Sequence, residues 1–289
     1  MTTASIDVQL KRRASGRLLD TLKSLGWAGW IALGVLLAAA FVAIFGPLLT
    51  TQDPNAVNLA SAYGAPAPGH PLGFDASGRD LFTRLVYGAR TTLLGPLLLV
   101  AFATTLGTTI ALVAVWRGGW LDTAISRTVD AAFAFPGLLL AILVAAIFGA
   151  GLLTAVVALT FAFTPYLIRI VRSAALKERS LPYVAALQVQ GVSGFAICVR
   201  HMLPNLVPTI VANGFQAFGE SLIALASLSF IGLGVQAPTA DWGAMVANGM
   251  TGVLSGFPQE SLYACLLIVL VVGAANMLGD RIVGKAVQL

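Results

Sequence analysis

Long apolar runs dominate the chain, and the shorter segments between them hold nearly all of its charged residues. A helix needs about 20 mostly apolar residues to cross the roughly 30 Å hydrocarbon core of a membrane. The pattern predicts an all-α polytopic membrane protein with six transmembrane helices, the third short and the fifth long enough to tilt or break. The predicted spans are residues 27–49, 91–115, 131–148, 152–171, 206–235 and 261–278.

Composition supports this class. Hydrophobic residues make up 58% of the 289 residues and charged residues only 10%, whereas an ordinary soluble domain carries about 25% charged residues. The first span is longer than the h-region of a cleaved signal peptide, so we expect it to be retained. Cys198 and Cys265 are predicted at different depths of the membrane, which argues against a disulfide or a metal site.

The basic residues predict an orientation. Fourteen of the 17 Lys and Arg residues fall before the first span, between spans two and three, in the last turn of span four or between it and span five, or after the sixth. By the positive-inside rule these segments, and both termini, are cytoplasmic. The net charge of +5 is then explained by topology, and we expect no nucleic-acid partner. The predicted organisation is a cytoplasmic tail 1–26, a permease domain 27–280 with external segments 51–90 and 236–260 and a cytoplasmic segment 172–205, and a cytoplasmic tail 281–289.

One short helix is predicted inside the segment 172–205. Ser180 is a residue type that caps helices, Pro182 is tolerated in a first turn, and Gly191 is the type that most easily ends a helix in the left-handed conformation. A helix of about two turns is not stable alone. The membrane-embedded part of the chain or a soluble partner must therefore support it.

The spacing in this segment resembles the cytoplasmic loop of ABC importer permeases that begins with Glu-Ala-Ala. Here Ala185, Ala186 and Leu187 are followed after three residues by Gly191, and nine residues later by a segment that ends in Leu203 and Pro204. Ala185 stands where the family carries its glutamate.

Two other segments resemble the C-type permeases of the dipeptide/oligopeptide/nickel branch of this family. The first, HPLGFDASGRD at 70–80, precedes span two, and the second, LSFIGLGV at 228–235, ends span five. With the elements between them, the resemblance extends in order over residues 27–280.

The resemblance implies a non-catalytic permease subunit of an ATP-driven peptide importer in the bacterial inner membrane. It implies a homologous second permease that forms the other half of the path, two cytoplasmic ATPase subunits that bind ATP and Mg²⁺, an external substrate-binding protein, and no cofactor on this chain. The short helix would couple to the ATPases, and the residues expected there are Tyr183, Val184, Ala185, Ala186, Leu187, Gln188, Gly191 and Pro204.

Glu220 is an acidic residue deep inside predicted span five. Gln216 lies one turn earlier, at a spacing that allows a hydrogen bond to Glu220, and Asn213 lies near the same face. Ionisable groups inside a membrane are costly and are often functional. Two interpretations stay open, a polar patch at the subunit interface and a lining of the translocation path.

Other motifs do not predict chemistry. Residues 279–285 match a phosphate-binding pattern, but Ala286 replaces the magnesium-binding hydroxyl, so we expect no ATP site. His70 and His201 are predicted on opposite sides of the membrane, which excludes a shared metal or triad. The alternatives to peptide import are transport of nickel, a metal chelate or another solute of the branch, and a self-sufficient secondary transporter, which would need ion-coupling groups at the midplane and inverted repeats.

Overall fold

The structure is a computed structural model that describes residues 26–286, with side chains as far as residue 282. The described part consists of helices joined by short irregular segments. The basic residues predicted to orient the N-terminus, Lys11, Arg12, Arg13, Arg17 and Lys23, lie outside the described residues, as do residues 287–289 and the side chain of Lys285.

Five helices are long and apolar enough to cross a membrane. They coincide with predicted spans one, two, four, five and six. In chain order they are α1 (Gly26–Leu49), α2 (Leu81–Arg117), α5 (Leu152–Arg179), α7 (Leu203–Phe230) and α10 (Gln259–Ala286). The shorter helices are α3 (Gly119–Ala132), α4 (Gly137–Phe148), α6 (Pro182–Val189), α8 (Trp242–Asn248) and α9 (Met250–Leu254).

The third predicted span is not one helix. α3 and α4 meet at a bend of 80°, and α4 has 12 residues, or about 18 Å at 1.5 Å per residue. Pro136 stands at the break, at the N-cap position of α4, where a proline has no N–H to continue the preceding helix and disfavours the helical conformation of the residue before it. The predicted third span over 131–148 is therefore not one straight helix; it makes a sixth span only if α3 and α4 together form one broken span.

Two helices extend well beyond the predicted spans. α2 has 37 residues, or about 55 Å, and begins after Asp80, whose carboxylate accepts a hydrogen bond from the Thr83 N–H at 2.7 Å. α5 continues past the predicted end at Val171 as far as Arg179. Both helices therefore reach beyond the hydrocarbon core and carry polar residues at their ends.

The core is organised around α2. One apolar cluster joins α2 to α4, α5 and α7 and includes Leu99, Leu159 and Leu228. A second cluster joins α2 to α7, α8 and α10 and includes Leu85 and Leu222. α2 thus holds both halves of the bundle together.

The loop 236–260 folds back onto the bundle. Trp242, which is 2% exposed, donates from its indole N–H to the Leu85 carbonyl at 2.9 Å, and the Thr92 hydroxyl donates to Asp241 at 2.8 Å. At Gly243 an added Cβ would lie 2.5 Å from the Ala226 carbonyl oxygen, so only glycine permits this approach. α8 is therefore clamped against α2 and α7.

The segment before α2 contains a buried charge network. Asp75 accepts hydrogen bonds from the backbone of Ser77 and Arg79 and from Arg79 Nε at 2.6 Å, and it lies 3.5 Å from Arg84 Nε. Asp75 and Arg84 are each 1% exposed. The segment is thus a compact, charge-compensated cover over this end of the bundle.

Candidate functional site

The short helix predicted in segment 172–205 is present as α6, but a different residue stands at its N-cap. Leu181 occupies the N-cap position with extended backbone angles, and Pro182 lies in the first turn. Ser180 instead ends α5, where its hydroxyl donates to the Lys177 carbonyl at 2.7 Å. The predicted Ser180 cap is wrong because α5 runs to Arg179 and takes Ser180 as its own C-cap.

The end of α6 follows the predicted signal. Gly191 has a φ of +74°, and its N–H donates to the Gln188 carbonyl at 3.0 Å while the Val192 N–H donates to the Leu187 carbonyl at 3.1 Å. These two bonds form a Schellman motif, which requires the left-handed conformation that glycine adopts most easily. Gly191 therefore fixes where the chain leaves α6.

One face of α6 packs on the chain itself. Val184 is 1% exposed and belongs to an apolar cluster with Leu112, Ile197 and Met202. Tyr183 and Leu187 are partly buried against the same cluster. Val184 is therefore buried against the chain itself and supports α6 on its inner side.

The opposite face of α6 is exposed to solvent in the single chain. Ala185, Ala186 and Gln188 are exposed, and Val189 is 90% exposed. Pro182, Ala185, Ala186 and Val189 follow the spacing i, i+3, i+4, i+7 and therefore share one helix face; together they are called the outer face below. Val189 is missing from the predicted site, although this spacing from Pro182 could have revealed it.

Glu178 connects the helices around α6. Its Oε1 accepts hydrogen bonds from the Tyr183 hydroxyl at 2.6 Å and from Asn205 Nδ2 at 2.7 Å. Burial, followed by the hydrogen bond to Glu178, raises the pKa of the Tyr183 phenol, so the hydroxyl stays protonated and donates. Pro204, the other predicted residue of this region, is exposed in the first turn of α7.

The end of α5 is also fastened to α2. Arg179 donates from Nη1 to the Val115 carbonyl, and its guanidinium lies over the Trp116 ring, 5.5 Å from the ring centroid. The last turn of α5 thus meets α2, α6 and α7.

The polar residues of α7 do not form the predicted cluster. Gln216 donates to Asp280 of α10 at 2.8 Å, and Asn213 donates to the Thr209 carbonyl of its own helix. Glu220 is exposed and lies within electrostatic range of Tyr166 on α5. The expected Gln216–Glu220 hydrogen bond is wrong because Asp280 from another helix takes the Gln216 amide.

The part of the chain that the structure describes holds no group of three His, Cys, Asp or Glu side chains placed to bind a metal. The phosphate-loop pattern at 279–285 lies inside the continuous helix α10. A phosphate-binding loop requires backbone N–H groups free of helical bonds at a helix start, so these residues cannot form one.

Comparison with known proteins shows that this chain is similar to transport proteins. The family model described as "Binding-protein-dependent transport system inner membrane component" matches residues 103–288. That region spans α2 from its middle onward and includes α6, its Gly191 turn and the whole of α7.

Curated relatives match over most of their length. The dipeptide transport system permease protein of Alkalihalophilus pseudofirmus is 37% identical over 250 residues, 86% of this chain and 82% of the relative. The glutathione transport system permease protein of Pectobacterium atrosepticum is 37% identical over 246 residues, 85% of this chain and 81% of the relative. The probable D,D-dipeptide transport system permease protein of Escherichia coli is 34% identical over 248 residues, 86% of this chain and 83% of the relative.

A solved structure shares the fold. An inward-facing structure of the MetNI methionine ABC transporter contains a chain that aligns with a TM-score of 0.57 and 22% identity, covering 70% of this chain and 96% of the other.

Proposed function

Because the chain belongs to the family of binding-protein-dependent transport system inner membrane components, and is a permease component of an ABC importer, we propose that its solute is a di- or oligopeptide. The observation that carries this proposal is the identity of 34–37% to permeases named for dipeptide, glutathione and D,D-dipeptide transport. It favours peptides over the metal chelate that the sequence left as an alternative. The family itself favours an importer that depends on other subunits over a self-sufficient secondary transporter.

The family implies ATPase and substrate-binding partners. In finer detail, we propose that this chain pairs with a homologous second permease and with two cytoplasmic ATPase subunits, and that an external binding protein delivers the peptide. ATP and Mg²⁺ would bind the ATPases. This chain would contribute no catalytic residue and no cofactor site, only the path and the coupling element, surrounded by membrane lipid.

Orientation is part of the same proposal. We propose that α6 and both termini lie in the cytoplasm and the loop 236–260 outside, with the permease domain over 27–280; the distribution of basic residues supports this orientation. A reporter active only outside the cell, fused within 236–260, should be active, and the same reporter fused after residue 285 should be silent. The reverse pattern at either site would refute this topology.

The outer face of α6 is the proposed contact for an ATPase. It is apolar and exposed, while the inner face is seated in the apolar cluster around Val184. Ala185, Ala186 and Val189 of the outer face would touch the partner directly, with exposed Gln188 beside them. Tyr183, Val184, Leu187, Gly191 and Pro204 would hold α6 in place beneath it. Motion of the ATPases on ATP binding would then shift α6, and α5 and α7 with it, and open the path alternately to each side.

Glu220 is proposed to face the translocation path or the second permease. Its side chain is exposed in the single chain although it lies in the membrane-spanning part of α7. A carboxylate at this depth is too costly to expose to lipid, so it must face protein or water. Gln216 and Asn213 are tied to other groups and would contribute to the interface rather than to the solute.

Transport of peptides can be tested directly. Cells that lack their own peptide importers and express this chain with its partner subunits should take up labelled di- and tripeptides in an ATP-dependent way. Uptake of a nickel chelate without uptake of any peptide would overturn the proposed solute.

A further inference from the structure

Glu178 occupies an unusual position at the junction of three helices. It lies in the last turn of α5, and a single oxygen, Oε1, accepts one hydrogen bond from α6 through Tyr183 and one from the start of α7 through Asn205. The bonds measure 2.6 and 2.7 Å. This group of three side chains is called the Glu178 junction below.

The carboxylate acts in the junction as an acceptor. Among the residues that the structure describes, the ion pairs join other partners and none involves Glu178. Both donors point at the same oxygen, so the geometry calls for one strong acceptor rather than for a negative charge beside a positive one.

The hydrogen bonds of the junction fix the orientation of α6, which the apolar contacts beneath it leave undetermined. Beneath α6 lies the apolar cluster of Val184, Ile197 and Met202, and apolar contacts are not directional. Hydrogen bonds weaken steeply when they are misaligned. When both hydrogen bonds of the junction are formed, α6 cannot tilt relative to the apolar cluster it packs on. A displacement of α6 therefore moves α5 and α7 with it.

From this geometry we propose that Glu178 is a positioning residue for energy coupling: it locks α6, α5 and α7 into one rigid unit, so that each cycle of the ATPases moves the path. The proposal rests on the proposed importer function. It assigns Glu178 a role inside this chain, distinct from a contact with the ATPase.

The test uses the complete importer, with second permease, ATPases and binding protein, reconstituted in vesicles. The measured quantity is the number of ATP molecules hydrolysed per peptide transported. Glu178→Ala should raise this ratio at least about fivefold, the factor that corresponds to losing roughly one hydrogen bond of coupling. Tyr183→Phe, which removes only one hydroxyl, should raise it less, and adding it to Glu178→Ala should raise the ratio no further.

Rescue by an amide separates the junction from an ion pair. Glu178→Gln keeps one carbonyl oxygen that can accept both hydrogen bonds, so the ratio should stay within about twofold of that of the unaltered chain. Lys177→Ala, a change at the exposed neighbour outside the junction, serves as the control and should leave the ratio unchanged.

Two results would overturn the proposal. One is an unchanged ratio in Glu178→Ala in complexes that retain their ATPases. The other is loss of ATPase retention in Glu178→Gln equal to that in Glu178→Ala, which would make Glu178 a charged contact to the partner. Failure of the unaltered complex to hold any ATPase would instead reject the proposed function, and the junction's role with it.

Discussion

The two ends of the molecule satisfy their polar groups in opposite ways. At the end formed by residues 51–80 and 236–260, Asp75, Arg84 and Asp241 are buried and bonded within the chain. At the end that carries α6, one helix face is buried and the other is exposed and apolar. Buried charges that are bonded within the chain are typical of a rigid cover. A helix that packs on the chain with one face and exposes an apolar face is typical of a binding element for another protein.

The largest expected effect is on the free energy of unfolding, and it comes from disrupting the buried Asp75 network at the end formed by residues 51–80 and 236–260. Asp75→Ala removes the carboxylate that pairs with Arg84 and Arg79 and leaves Glu260 as the acidic neighbour of the buried Arg84 guanidinium. Breaking a buried pair costs about 3–5 kcal/mol. The free energy of unfolding of the purified protein, from denaturant titration in detergent, should fall by that amount. Asp53→Ala changes an exposed carboxylate in the same segment and should lower it far less. Equal losses in the two variants would contradict the closed network.

A smaller effect, on ATP-driven uptake, is expected at the end that carries α6. Gly191→Val forces a β-branched residue into the left-handed conformation, a strain of about 1–2 kcal/mol. The strain should displace α6 and lower ATP-driven uptake by a factor of about 5–30, with little change in the global unfolding free energy. Gly191→Asn, which tolerates this conformation better, is the matched control. Unchanged uptake in Gly191→Val would remove α6 from the coupling route.

The smallest effect concerns the residue that departs from the family pattern. Ala185 is exposed on the outer face, so Ala185→Glu should be tolerated and should strengthen ATPase retention by at most about 1 kcal/mol, because exposed ion pairs are weak. The gain should shrink as salt is raised, and Ala185→Gln should show no such salt dependence. Loss of assembly in Ala185→Glu would mean that the position is buried against an apolar partner surface.

Local sequence signals predicted the features that depend on one residue or on one run. Gly191 ends α6 because the left-handed turn needs only the glycine itself. Five spans follow from the length of their apolar runs.

Features that depend on a distant partner were missed. The amide of Gln216 bonds Asp280, 64 residues away, rather than Glu220 one turn along the helix. Ser180 caps the C-terminus of α5 rather than the N-terminus of α6, because α5 extends beyond the apolar run from which its length was predicted. The 80° break at Pro136 is a different case: its cause is local, the proline itself, which the uniform hydrophobicity of the run conceals.

We propose that the outer face of α6, and not its inner face, meets the ATPase. A photo-crosslinking amino acid placed at position 189 and, separately, at position 184 of the complete importer tests it directly. Position 189 is 90% exposed and position 184 is 1% exposed. We expect a crosslink to the ATPase from 189 that is strengthened or shifted by ATP, and none from 184. A crosslink from 184, or the absence of any from 189 in complexes that retain the ATPase, would contradict the account.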